Sequence, residues 1–372
     1  MLPLARGLDA MSPILGLFWF SLSLSWLSIV LLEVRNDGIS SRSLNSSIKS
    51  LVFNQTKRPT GMAPAGRHVL LGGGTGFVGS ALKQVLLSKN YDVTVISRMP
   101  GPRRVTWFDV QSRGLPEGVT AVVNLAGQNI LDPLQRWTPG FRQNVWNSRV
   151  NTTKTLAEAI VNSKIKPDVF LTVSGVGIYD PSKTDVVYDE KSPIGEPFDF
   201  LSKLAIEWEK AACLPADVNV RQAVIRSGVV LGRTGGMIQQ LYLQFFFGMG
   251  GPISSGCQPL PWIHLKDLCN MFVFAIENPK VNGVLNGVAP QIISNAEFAK
   301  AFASVLGRPA MFRVPEFALN LMFSEERAKI MTMGQRVAPA RPLELGFQYE
   351  YPEIRPALAS MSRLFYSKKK PF

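Results

Sequence analysis

The spacing of apolar residues divides this chain into stretches with different rhythms. Ser12 to Leu32 contains no charged residue and includes the runs Ile14-Leu15-Gly16-Leu17-Phe18-Trp19-Phe20 and Trp26-Leu27-Ser28-Ile29-Val30-Leu31-Leu32. About 20 apolar residues suffice to cross a bilayer as a helix, so this stretch is long enough. A polar, Ser- and Asn-rich tract from Asn36 to Thr60 follows and reads as a flexible linker. The rhythm then becomes that of a folded core. His68-Val69-Leu70-Leu71 is a short apolar strand, and Ala81-Leu82-x-x-Val85-Leu86-Leu87 has helical spacing. Asp92-Val93-Thr94-Val95-Ile96 alternates as a second strand. Ala121 to Gly127 reads as a buried strand ending in a small-residue turn, and Phe141 to Val161 as one long amphipathic helix. Val169 to Ser174 is a strand, Leu201 to Ala212 a helix and Val220 to Arg226 a strand running into Ser227-Gly228-Val229-Val230. Alternation of strands with helices predicts an α/β fold with a parallel sheet covered on both faces and ligands at the carboxyl ends of its strands. From about residue 233 the pattern turns irregular and helical, and no internal repeat is visible.

Between the first strand and the first helix lies Gly72-Gly73-Gly74-Thr75-Gly76-Phe77-Val78-Gly79. Glycines at 73, 76 and 79 permit a tight turn, close approach of backbone N–H groups to a pyrophosphate, and close packing of helix on strand. The phosphate then sits at the helix N-terminus, where unpaired N–H groups and the helix dipole favour negative charge. The run also reads as Gly74-x-Gly76-x-x-Gly79, so glycine spacing alone does not separate two kinds of dinucleotide site. The strand–turn–helix–strand context marks a nucleotide site in either case. An NAD-preferring site usually carries an acid at the end of the second strand, to bind a ribose 2′-hydroxyl. Here that strand ends in Ser97-Arg98, a hydroxyl beside a guanidinium, which suits a 2′-phosphate. The expected cofactor is NADP(H). The chain thus divides into an N-terminal hydrophobic segment (1–33), a linker (34–66), an NADP-binding Rossmann domain with a doubly wound parallel sheet (67–232), a smaller substrate lobe (233–363) and a basic tail (364–372).

Composition narrows the remaining classes. With 372 residues and 46% hydrophobic content the chain can bury a large core, which excludes disorder throughout. Cys213, Cys257 and Cys269 have no paired spacing, so neither a zinc site nor a disulfide framework is expected, and the compartment reads as reducing. The net charge of +13 is scattered, with Lys368-Lys369-Lys370 the only tight basic run, and reads as a surface that attracts anionic ligands rather than as a nucleic-acid interface. Residues 12–32 predict a single-span membrane anchor when the full chain is made. A product starting at Met62 would hold the whole fold without it, as a cytoplasmic or organellar soluble protein. Acceptor sequons stand at Asn45, Asn54 and Asn151; the last falls inside a predicted core helix, which argues against lumenal exposure.

The motifs occur in a particular order: Gly73-x-x-Gly76-x-x-Gly79, Asn124-Leu125-Ala126-Gly127, Ser174-Gly175-Val176-Gly177-Ile178-Tyr179 and Trp262-Ile263-His264-Leu265-Lys266-Asp267-Leu268. In this the sequence resembles the extended short-chain dehydrogenase/reductases, in their atypical epimerase-like branch, family 39U. The likeness runs from about Arg67 to about Ser360. It includes Gly334-Gln335-Arg336-Val337-x-Pro339 and Leu345-Gly346-Phe347, which are similar to that group's tail domain. The resemblance implies that the glycine turn with Phe77 and Val78 holds the cofactor, that Ser97 and Arg98 meet the 2′-phosphate, and that Leu125 and Ala126 border the adenosine ribose. It also implies cofactor contacts from Asn144, Arg149 and Val230.

Family chemistry uses a Tyr as general acid/base, a Lys four residues later and an upstream Ser. A free phenol titrates near ~10 and needs a neighbouring cation to work at neutral pH. Ser202-Lys203 fits the pattern here, but Asp199 occupies the Tyr position. Ser174, Tyr179 and Lys203 are the candidate catalytic residues, with Asp199 either a base or a helix-terminal acid. His264 reads as a hydrogen-bonded structural histidine, Trp262 and Gly250-Gly251-Pro252-Ile253 as pocket rim, and Phe245-Phe246-Phe247 as lobe packing. The function implied is that of an NADP(H)-dependent oxidoreductase or epimerase acting on a small carbonyl or sugar-like substrate; the alternative is an NADP(H)-binding sensor or scaffold that has lost turnover.

Overall fold

The computed structural model describes residues 67–132 and 135–362. The predicted membrane segment, the linker and the basic tail lie outside the described residues. Among the described residues, no helix is long and apolar enough to cross a membrane.

The sheet has seven strands, all parallel: β1 (His68–Gly72), β2 (Asp92–Ser97), β3 (Arg104–Thr106), β4 (Ala121–Asn124), β5 (Val169–Gly175), β7 (Arg221–Ser227) and β10 (Gly283–Gly287). Their order is β3-β2-β1-β4-β5-β7-β10, with every neighbouring pair parallel. The winding reverses between β1 and β4, and the crevice beyond their carboxyl ends is where open α/β sheets take ligands. Alternation along β1 sends Val69 and Leu71 to one face and Leu70 to the other, each fully buried. On the first face they meet α1 (Phe77–Ser88), through Leu82 and Leu86, and α7 (Leu265–Glu277), through Met271 and Phe272. On the second face Leu70, Val122 and Phe170 pack on Leu156 and Ile160 of α4 (Thr152–Asn162), beside α2 (Trp107–Arg113). Each fully buried Leu or Ile contributes about 1.5–3 kcal/mol, so this double-sided burial dominates the fold.

The chain leaves this core twice. Helices α6 (Gly236–Phe246), α8 (Asn295–Val305) and α12 (Ile354–Met361) surround a second cluster that includes Phe245, Phe298, Phe302 and Leu358. Helices α9 (Glu316–Phe323) and α10 (Glu325–Thr332) pack against each other, and α11 (Ala340–Glu344) lies beside β10. Two short parallel pairs join the parts: β8 (Val229–Gly232) with β9 (Trp262–His264), and β6 (Val187–Tyr188) with β11 (Arg336–Val337).

Two features depart from the sequence reading. The region after residue 233 is not all lobe, because α7 and β10 return to the sheet. β10, with two glycines and an asparagine in Gly-Val-Leu-Asn-Gly, has too short an apolar run to announce itself. The predicted helix from Phe141 to Val161 is continuous but not uniform: α3 (Pro139–Trp146) passes through a π-helical turn at Asn147–Asn151 before α4. Such turns insert a residue into the helical ladder and are frequent at functional sites. His264 is the expected structural histidine. It caps α7 by accepting from the Lys266 N–H through Nδ1 (3.1 Å) and lies 3.2 Å from the Ser360 hydroxyl, and burial pushes its pKa down to about 4.

Candidate cofactor cleft and adjoining cavity

At the end of β1 the backbone of Gly73 takes φ +73°, and a Cβ there would lie 2.6 Å from the Leu125 carbonyl. A Cβ on Gly79 would lie 2.1 Å from the Gly73 carbonyl oxygen. Gly76 has no such neighbour; its closest atom would be the Gly73 oxygen at 3.4 Å. Gly73 and Gly79 are therefore demanded by the fold, whereas Gly76 leaves open space above the loop. The turn after β4 is clamped against this loop. Leu125 N–H donates to the Gly72 carbonyl (2.9 Å), and the fully buried Asn124 accepts from Ala126 N–H (3.0 Å). Asn124 Nδ2 donates to Thr153 Oγ1 (2.8 Å), which also receives Trp208 Nε1–H (2.9 Å). The predicted residues Gly73, Gly76, Gly79, Leu125 and Ala126 thus form one cradle at the strand-order reversal.

The helix that starts there has neither a side-chain cap nor an acidic residue in its first turn. Its leading N–H groups and positive dipole end are left for an anion. At the neighbouring β2 terminus the Ser97 hydroxyl accepts from Met99 N–H (3.2 Å), and Arg98 is exposed, with no ion pair among the described residues. The acid of this strand, Asp92, stands at its opposite end and pairs with Arg103. These residues fit a dinucleotide carrying a 2′-phosphate.

A cavity of about 2330 Å³ opens beside the cradle, and Phe77, Val78, Arg149 and Val230 all line it. The π-helical turn carries Arg149 inward. Its guanidinium is buried, donates to the Gln128 carbonyl (2.9 Å) and the Val145 carbonyl (3.2 Å), and sits 5.3 Å from the Trp208 ring centroid. No carboxylate pairs with it among the described residues, and burial lowers its pKa to about 10, so it is still a cation at neutral pH. A buried charge without a partner is costly, and an anionic ligand relieves that cost. Asn144, by contrast, is exposed on α3 and does not line the cavity.

The three candidate catalytic residues are not brought together on the cavity wall. Ser174 donates to Glu209 Oε1 (2.6 Å), and Glu209 also holds Arg226 through two bonds of 2.8 Å each. Arg226 Nη1 donates to the Tyr179 hydroxyl (3.0 Å), which lies 2.9 Å from Asn286 Oδ1 and 3.0 Å from the Asp189 carbonyl. Tyr179 is 1% exposed and stacked on Tyr188, and burial raises its pKa although Arg226 opposes the shift. Strand alternation turns Ser174 away from the cavity, leaving Gly175, Val176 and Gly177 as the wall. Lys203 is exposed on the outer side of α5 (Phe200–Ala212), because the apolar stripe Leu201, Leu204, Ala205 and Trp208 faces the cavity. Asp199, at the cavity mouth, accepts from Ser202 N–H (2.7 Å) in a reciprocal capping box, which accounts for an acid at that position. Gly250, Gly251 and Ile253 do form cavity wall, whereas Trp262 is buried beneath it with its Nε1–H on the Gln291 carbonyl.

The sequence model of the NAD dependent epimerase/dehydratase family matches residues 69–286, and a domain of unknown function (DUF1731) matches residues 314–361. The chain belongs to the NAD dependent epimerase/dehydratase family. It is 50% identical over 292 residues to the epimerase family protein SDR39U1 of Bos taurus, a match covering 78% of this chain and 98% of that one. The crystal structure of human SDR39U1 (isoform 2) with NADPH superposes with TM-score 0.77 at 48% identity, covering 79% of this chain and 99% of that one. A nucleoside-diphosphate sugar epimerase of Corynebacterium glutamicum gives TM-score 0.64 at 29% identity, covering 80% of this chain and 58% of that one.

The chain thus keeps a complete glycine cradle and a lysine at position 203, but holds Asp199 four residues before it and turns Lys203 outward. Glu209, Arg226 and Asn286, the partners that hold Ser174 and Tyr179, escaped the sequence reading. The legible signal was Arg226, a charge directly after the apolar run Ala223-Val224-Ile225, since a charge there must find a partner. The placement of Lys203 has a direct consequence: Lys203→Ala is expected to change NADPH affinity and thermal stability by less than about 0.5 kcal/mol, as for an exposed surface position. Fluorescence titration and a melting curve check this, and a tenfold loss of affinity would return Lys203 to the cofactor site.

Proposed function

We propose that this member of the family binds NADP(H) in the cradle and carries out oxidoreductase or epimerase-like chemistry on a carbonyl or sugar-like compound in the adjoining cavity. The observation that carries the reading is the uncapped, acid-free start of α1 over Gly73, Gly76 and Gly79, beside a half-buried Ser97 and an exposed Arg98 in place of an acid. The NADPH-bound structure of the human relative supports it. Arg149 and Val230 take the cofactor's inner end, where bound nicotinamide supplies or accepts hydride; Phe77 and Val78 shape the wall, and Arg149 balances negative charge. Ser97 and Arg98 hold the 2′-phosphate.

A second reading, NADP(H) binding without turnover, is favoured by one specific observation: Ser174 and Tyr179 are locked in a buried network and Lys203 faces outward. Loss of NADPH absorbance with a panel of carbonyl compounds separates the two, since tight binding without oxidation of any of them leaves only the second. Cofactor choice is tested by Arg98→Ala. Removing one charge-assisted phosphate contact costs about 1.5–3 kcal/mol, so NADPH Kd is expected to rise about 10- to 100-fold while NADH affinity is unchanged. Equal losses for both cofactors would remove Arg98 from the 2′-phosphate site.

A further inference from the structure

From Gly127 to Thr138, between the turn after β4 and the start of α3, the described residues form neither strand nor helix, and Asn129, Ile130 and Asp132 line the cavity. The loop's own backbone does little to hold it. Gln135 N–H donates to the Asp132 carbonyl (3.2 Å) and Thr138 N–H to the Arg136 carbonyl (2.8 Å). Backbone groups outside regular structure must find their partners elsewhere, so the shape of this loop depends on the side chains that anchor it.

Two buried guanidiniums supply the anchors. At the near end Gln128 is gripped by consecutive residues of the π-helical turn: its N–H donates to Ser148 Oγ (2.9 Å) and its carbonyl accepts from Arg149 Nη2 (2.9 Å). Four residues further on, the Asp132 carbonyl accepts from Arg327 Nη2 (2.6 Å), and the Gln135 carbonyl accepts from Arg327 Nη1 (2.7 Å). Arg327 belongs to α10, inside the domain of unknown function, and is 1% exposed. Its Nε is buried with no hydrogen-bond partner among the described residues, so the two loop carbonyls take all of its hydrogen bonds. A planar guanidinium suits this task, because its donors point in fixed directions and hold two acceptors at once.

The preceding residue strengthens the grip. Glu326 accepts from Trp137 Nε1–H at the end of the same loop and pairs with Arg142 of α3 (2.8 Å). The Trp137 ring centroid lies 5.6 Å from the Arg142 guanidinium and 5.9 Å from that of Arg327, within reach of cation–π attraction to both. Consecutive residues of α10 thus fasten the far half of the loop, while its near end meets Arg149.

We propose that Arg327 is a positioning residue for the cofactor, an inference that rests on the reading of Arg149 as a cofactor contact. By holding the carbonyls of Asp132 and Gln135, Arg327 sets the loop; the loop sets the Gln128 carbonyl; and that carbonyl aims Arg149 at the cofactor's inner end. The domain of unknown function thereby contributes to cofactor binding. Without the Arg327 fork the loop is released at its far side and Gln128 moves with it. Arg149 then keeps only contacts within its own helical stretch, to the Val145 carbonyl (3.2 Å) and the Ser148 hydroxyl (3.5 Å), and neither directs it toward a ligand.

The test is a double-mutant cycle on the full-length protein, with NADPH affinity read by fluorescence titration at a temperature where circular dichroism shows every variant folded. Arg327→Ala is expected to raise NADPH Kd about tenfold in the parent, inside the span of about 5- to 150-fold usual for coupled sites. In an Arg149→Met background the same change should cost less than about twofold, because the group it acts through is gone. A purely structural role for Arg327 would weaken binding by the same factor in both backgrounds. Glu326→Ala, at a side chain 50% exposed, loosens the same clamp with less risk to folding and should follow the same pattern at about threefold, so it decides the matter if Arg327→Ala does not fold. By reciprocity, saturating NADPH should slow hydrogen exchange of the α10 amides about tenfold in the parent and leave it unchanged in the Arg149→Met protein. Equal losses in both backgrounds, or no loss in either, overturn the inference and leave the cofactor reading standing. An Arg149→Met protein that binds NADPH like the parent removes Arg149 from the cofactor site, and this inference falls with it.

Discussion

Gly73→Ala and Gly79→Ala are each expected to weaken NADPH binding about 100-fold and to lower the melting temperature, whereas Gly76→Ala is expected to lose affinity while melting like the parent protein. At Gly73 the backbone is left-handed, φ +73°, which costs an L side chain about 1–2 kcal/mol before any contact is counted. The added Cβ would also press on the Leu125 carbonyl at 2.6 Å, so relief requires moving the turn after β4. At Gly79 the obstruction is the Gly73 carbonyl oxygen at 2.1 Å, again backbone rather than a side chain that can swing aside. Overpacking of this kind costs about 1–3 kcal/mol, which exceeds the gain of roughly 1 kcal/mol from replacing a helical glycine with alanine. Either shift carries the loop N–H groups off the phosphate. Loss of one or two charge-assisted bonds, about 1.5–3 kcal/mol each, corresponds to the 100-fold change. Gly76 is different: its φ of −77° suits any residue and its Cβ would meet nothing closer than 3.4 Å. A methyl group there leaves the fold alone and intrudes only on what approaches from above. Parallel melting curves and NADPH titrations check all three. If Gly79→Ala melts and binds as the parent does, the close approach of α1 to the loop is not what fixes the cradle.

These contrasts also show which parts of the site can be read from a sequence. The cradle was legible because its constraints are local: three glycines, one strand end and one helix start lie within a dozen residues and follow backbone sterics. The absence of an acid at Ser97-Arg98 was legible for the same reason. The phase of α5 was also present in the sequence, yet the Ser202-Lys203 motif pointed the other way. Leu201, Leu204, Ala205 and Trp208 form the apolar stripe of that helix, and the stripe lines the cavity while Lys203 faces solvent. A lysine motif read without helical phase puts the cation on the wrong side. The burial of Tyr179 was illegible for a different reason. Its partners Arg226 and Asn286 come from two other strands of the sheet, and no local rule brings them to one phenol. The π-helical turn that carries Arg149 inward is likewise a product of packing, since Phe141 to Val161 has an unbroken helical pattern. Among the strands, β10 was missed because pairing with β7 supplies stability that its own composition does not.

Glu209→Ala is expected to cost about 3–5 kcal/mol of folding stability, the penalty for leaving one member of a buried ion pair alone. Arg226 and Glu209 side chains are 6% and 16% exposed, so water offers the freed guanidinium little compensation. Burial by itself lowers the Arg226 pKa, and the two-bond contact with Glu209 more than reverses this; the variant loses that compensation, yet a guanidinium is too basic to escape by deprotonating at neutral pH. The damage spreads through shared partners. Ser174 loses the acceptor for its hydroxyl, and Arg226 is left to the Tyr179 phenol and its ring. Replacing both charges by hydrocarbon of similar size, Glu209→Leu with Arg226→Met, removes the unpaired charge and should recover most of the loss, because such exchanges are often neutral or stabilising. Denaturant unfolding of the two single variants and the double variant closes the cycle. The same samples decide what Ser174 and Tyr179 are for. If they belong to a structural network behind the Gly175–Gly177 wall, NADPH affinity per folded molecule stays near the parent value in the double variant and any turnover persists. A double variant that folds well and has lost turnover entirely would instead put the Ser174 hydroxyl back among the groups that act on substrate.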